Sequence, residues 1–190
     1  MPAELAVGPE RLPLPPTLTA GQRHAMDAVV AGPRGELIAP FIPMLRAPEL
    51  MTRLQLVGEY LRFGSGLPRH LTELVILVVA RRWDQDYEWG HHVPLARAAG
   101  LNEDVIAAVR DGGIFTGPDD VRAVWQMVSE LEYRRGVSDS TYDAALAAVG
   151  DDGLVEVIVT AGYYTTLAMT MNATRSPVPD DYERLPARRS

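Results

Sequence analysis

The sequence predicts an all-α protein, and three observations carry that reading. Between Thr19 and Met171 the apolar residues recur at three- and four-residue spacing. Pro, Gly and Asn fall where such segments should begin or end. No region alternates strand-like and helix-like patterns as a parallel sheet would require.

The elements follow in order. Residues 1–18 carry Pro2, Pro9, Pro13, Pro15 and Pro16, so they read as an extended arm lying on the domain or on a neighbouring subunit. A first helix is expected from about Thr19 to Ala31, stopped by Gly32-Pro33. A loop through Pro40 and Pro43 leads to Pro48, placed at the first position of a second helix. That helix repeats apolar residues at Leu50, Met51, Leu54, Val57 and Leu61 and ends at Gly64-Ser65-Gly66. From Pro68 the segment RHLTELVILVVARRW is apolar enough for a strand. Its length and helical neighbours predict a buried helix instead.

A break at Asp84-Gln85-Asp86 opens YEWGHHVPLARAAG, a helix ending at Gly100. Asn102 caps the next, to Val109, with Glu103 and Asp104 at its positive end. Pro118-Asp119-Asp120 begins another, with Val121, Val124, Trp125, Val128 and Leu131 on one face. Tyr142 to Val149 is a short Ala-rich helix, and Leu154 to Met171 is a long one. Residues 19–174 are expected to form one domain, and 175–190, with Pro177, Pro179 and Pro186, a polar tail.

Composition narrows the chemistry. The chain has 190 residues and no cysteine, which excludes disulfides, thiolate metal sites and thiol nucleophiles. All 18 basic residues are arginine, so lysine Schiff-base chemistry is excluded as well. A net charge of -7 argues against a nucleic-acid partner. The longest apolar run, Leu74 to Ala80, is far short of a membrane span, and the N-terminus lacks a secretory pattern. A cytoplasmic protein is expected.

Polar groups inside apolar context are the candidates for function. Glu73 sits among Leu71, Leu74, Val75, Ile76 and Leu77, so its carboxylate needs a partner or a task. Arg69, four residues earlier, is one partner. Glu88 and His92 are also four apart on one helix face, with Trp89 and His91 beside them. A carboxylate against an imidazole suits acid–base catalysis. The same residue types could ligate a metal, but adjacent histidines diverge by about 100° on a helix, which hinders His91 and His92 from gripping one ion. Glu73 and His92 lie on consecutive helices joined by a short turn, so they can face each other. His24 and His70 read as structural or solvated, and Trp83, Trp125, Tyr163 and Tyr164 as core.

The stretch RHLTELVILVVARRWDQDYEWGHHVPLARAAGL resembles the core motif of the carboxymuconolactone decarboxylase family, which shares the alkyl hydroperoxidase D-like (AhpD-like) fold. Arg69, Glu73, Glu88, His92, Ala96 and Gly100 carry the resemblance, and PFIPMLRAPELMTRLQLVGEYLRFGSGLP resembles the family's lead-in. It implies an AhpD-like helical bundle, a homo-oligomer (dimer, trimer or hexamer), a small-molecule substrate and no cofactor or resident metal. The peroxidase branch uses a CxxC whose cysteines fall on Gln85 and Glu88 here, so that chemistry is absent. The decarboxylase branch implies Glu73, Glu88 and His92 as catalytic groups, and Arg69, Trp89 and His91 at the substrate. Two other readings stay open: a metal-dependent enzyme at the Glu/His cluster, and a non-catalytic oligomer that binds a small molecule.

Overall fold

A computed structural model describes residues 8–187. Among these the structure is all-α, with no strand. They form two compact units. One comprises the described residues of Met1–Ser65 with Thr166–Val178, and the other those of Gly66–Thr165 with Pro179–Ser190.

In the first unit, α1 (Ala20–Ala31) starts in a capping box, with the Thr19 side chain and Gln22 each accepting the other's backbone N–H. It buries Ala25 and Val29 and packs on α3 (Pro48–Glu59), which has Pro48 at its start. The expected loop between them contains a four-residue helix, α2 (Phe41–Met44). The prolines there masked it, but Phe41, Met44 and Leu45 are buried, and their burial holds the turn that propensity disfavours. After α3 the chain passes through a π-helical turn, Tyr60–Gly64, closed by Ser65 N–H donating to the Tyr60 carbonyl. The arm is tied down within this unit: Arg11 N–H donates to the Thr174 carbonyl, and the Arg46 guanidinium donates to the carbonyls of Leu12 and Pro13.

The second unit is built around α4 (Arg69–Arg82), in which every residue from Leu71 to Ala80 is buried. A helix apolar on all sides must be surrounded, and α5 (Asp86–Ala98), α6 (Glu103–Asp111) and α7 (Asp119–Arg134) pack against it. The α4–α5 turn is tight. Asp84 takes a left-handed conformation (φ 47°), and Arg81 clamps its carboxylate at 2.8 Å. Gln85 then caps α5 by accepting the Tyr87 N–H. Asn102 caps α6 by accepting from Asp104, and left-handed Gly112 ends it. The last two expected helices are both present within α8 (Asp139–Thr174), separated by a kink at Gly150, whose φ of 70° only glycine adopts cheaply.

Two acids on α7 and α8 are structural. Glu130 accepts the Ser138 N–H at the start of α8, and that bond holds its carboxyl below the usual carboxylate range, against the opposing effect of burial. Glu156 is buried and accepts the N–H groups of Gly66 (3.3 Å) and Leu67 (3.0 Å), which fixes the chain just ahead of α4. Glu156→Ala leaves both donors without this acceptor. It should lower the unfolding free energy by about 1–3 kcal/mol, read from urea denaturation; a loss near zero would remove Glu156 from the anchoring of α4.

Candidate functional site

The tight turn brings the inner faces of α4 and α5 together. Glu73, on α4, is 2% exposed at its side chain, and His92, on α5, is 3%. His92 Nδ1 lies 2.7 Å from Glu73 Oε2. An ionised carboxylate only accepts, so this geometry assigns the proton to Nδ1 of the imidazole. The second ring nitrogen, Nε2, is 3.4 Å from Glu88 Oε2 one turn back along α5, and the Glu88 side chain is also buried. The imidazole is thus held between two carboxylates. Tyr164 of α8 closes a further side, its ring edge-on to His92 at 5.2 Å between centroids.

Two buried carboxylates around one imidazole carry excess negative charge, which is costly without compensation. Part of that compensation is visible. Arg69 Nη2 reaches to 3.6 Å from Glu73 Oε1, with its own side chain 54% exposed. Glu88 lies in the first turn of α5, where the helix N-terminus favours negative charge.

The remaining candidates separate. Trp89 is fully buried, and its indole N–H has no acceptor among the described residues. His91 is half-buried and stands edge-on to His92, with ring planes at 71°. Its Nδ1 meets the Tyr182 hydroxyl at 3.1 Å. The two histidines therefore serve different partners, as their helical offset requires. Among the described residues no group of three or more His, Asp and Glu side chains is arranged to hold a metal ion. His70 pairs with Asp120 of α7 at 3.5 Å.

Sequence reasoning missed two residues here. Tyr164 was expected in the core; it is buried, and it also touches His92. Tyr182 lies in the tail that reads as polar and Pro-containing, and no periodicity links it to α5. One signal pointed to it. Gly90 is a glycine inside a helix, a costly choice unless something approaches closely. A Cβ there would stand 2.5 Å from Cβ of Tyr182.

The Glu73–His92 contact should couple energetically. A double-mutant cycle with Glu73→Gln and His92→Gln is expected to give an interaction term of about 0.5–3 kcal/mol. Additive single losses would mean that the two groups do not share a proton in solution.

The fold and this cluster can be set beside known proteins. A model of the carboxymuconolactone decarboxylase family matches residues 48–130. Among solved structures, a protein of unknown function from Agrobacterium tumefaciens, described as a candidate antioxidant-defence AhpD protein, superposes with a TM-score of 0.63 at 22% identity. The match covers 74% of this chain and 98% of that one, and at that identity it speaks to fold alone. No curated protein matches significantly. The matched segment, residues 48–130, includes Glu73, Glu88 and His92 together and is similar to the carboxymuconolactone decarboxylase family, and the chain has an AhpD-like all-α fold.

Proposed function

We propose that this protein is a cofactor-free lyase of the carboxymuconolactone decarboxylase type, acting by general acid–base catalysis on a small carboxylated or lactone-type substrate. The observation that carries the reading is the 2.7 Å contact between His92 Nδ1 and Glu73 Oε2 in a buried setting. It fixes the imidazole's orientation and leaves Nε2 as the nitrogen that can exchange a proton with a reactant. The chain has no cysteine, so thiol peroxidase chemistry is not available to it.

The chemistry is then simple. A carboxylate placed β or vinylogous to a carbonyl loses CO2 when its C–C bond breaks and the electron pair moves into the carbonyl as an enolate. His92 delivers a proton from Nε2 to the enolate carbon and is reprotonated from solvent. Glu73 holds the ring in place and offsets the charge it carries. Glu88, beside Nε2, accepts from it when that nitrogen carries a proton. Arg69, charged and half in solvent, would hold the substrate's carboxylate or lactone oxygen. The buried Trp89 and neighbouring apolar groups favour loss of charge as CO2 departs.

The expected setting is a cytoplasmic homo-oligomer. No helix among the described residues is long and apolar enough to cross a membrane. Val155, Ile158 and Val159 leave an exposed apolar stripe on α8 that supports self-association. Near-complete burial of Glu73, Glu88 and His92 also favours a second reading, in which they are a structural network in a protein that binds a small molecule without turning it over.

The test is CO2 release from 4-carboxymuconolactone, run with and without chelator. Turnover that survives chelator and falls by about 10²–10⁴ in His92→Ala is the expected result, with the variant's oligomeric state unchanged. Full activity in His92→Ala would remove His92 from the mechanism. Loss of stability in Glu88→Gln and His92→Ala, with no turnover in any form, would favour the binding protein.

A further inference from the structure

The C-terminal segment after α8 runs along α5 rather than away from it. Tyr182 N–H donates to the Pro179 carbonyl, which turns the chain onto the helix. Leu185 N–H donates to Asp86 Oδ1 at 2.9 Å, and Arg184 pairs with the same carboxylate. Glu183 meets Arg97 at 3.4 Å towards the other end of α5, and the Pro186 carbonyl accepts from Arg81. Between these ties Tyr182 lies over Gly90. Its ring is 5.4 Å from that of Tyr87, and its hydroxyl meets His91. His91 in turn abuts His92, with ring centroids 5.0 Å apart.

We infer that Pro179–Leu185 is a strap that closes the Glu73–His92–Glu88 site, with Tyr182 as its latch, and that a ligand reaches His92 only when the strap lifts. Three features carry this. His92 and its two carboxylates are almost wholly buried, so access requires movement. Gly90 has no side chain where Tyr182 sits, so α5 is shaped to receive the ring. The strap is held by polar contacts at half-buried or exposed groups, with Tyr182 its one aromatic anchor, so it can open without disturbing the core. Pro179 and Pro186 limit the freedom it gains on lifting.

The inference concerns access and stands whether or not the proposed reaction is right, and so does its test. The full-length protein is treated with diethyl pyrocarbonate, which acylates unprotonated imidazole nitrogen, and each histidine is followed by peptide mass spectrometry. Tyr182→Ala and Gly90→Ala disturb the latch from opposite sides. Each should raise the modification rate of His92 by about tenfold or more, the scale of a local opening made easier, while His24 and His70 keep their rates. Tyr182→Phe keeps the ring, loses the hydroxyl and should give a smaller rise. An unchanged His92 rate in both Tyr182→Ala and Gly90→Ala would overturn the strap. So would a wild-type His92 that already reacts as fast as His24. Equal acceleration at all four histidines would overturn it too, because the segment would then be part of the fold rather than a cover.

Discussion

The structure depends on keeping one carboxylate inside an otherwise apolar helix. Glu73 stands in the run of α4 where every neighbour from Leu71 to Ala80 is buried. A charge in that position is tolerable only with a close, well-oriented partner. His92 is that partner, and much of the local architecture brings it there. The left-handed Asp84, its clamp by Arg81 and the Gln85 cap make the α4–α5 turn short and definite. Glu156 fixes the chain ahead of α4. Arg69 and the N-terminus of α5 offset the negative charge of the two carboxylates.

The same arrangement bears on the chemistry proposed for this chain. By the resemblance, Glu88 stands where the peroxidase branch has its second cysteine, and Gln85 where it has the first. Here Gln85 caps a helix and Glu88 faces Nε2 of His92. A carboxylate thus stands where that branch has a thiol, beside the buried Glu73–His92 pair. The proposed lyase chemistry uses that pair with Glu88 and Arg69 beside it, in a largely buried setting.

Much of this was readable in the sequence, for local reasons. Asn102 announces a helix start because a side-chain oxygen ahead of an apolar repeat has one common use. Glu73 and His92 stand out as polar residues against apolar neighbours, and a short break between their helices limits how they can meet. What escaped was non-local or disguised. Glu156 sits in the long apolar C-terminal helix and caps a segment 90 residues earlier. Tyr182 reaches α5 from a segment whose prolines and charges read as tail, and only Gly90 hinted that something would lie there. The helix Phe41–Met44 was hidden by prolines, because tertiary burial of its apolar side chains overrode propensity.

The central claim is that His92 carries its proton on Nδ1, held by Glu73. Histidine ¹⁵N NMR on the wild-type protein tests it most directly, because the two ring nitrogens report protonation separately. The account predicts a protonated Nδ1 at His92, with a proton slow to exchange with water. A bare Nδ1, with the proton on Nε2 alone, would contradict it and leave the buried Glu73 carboxylate without the partner on which the site rests.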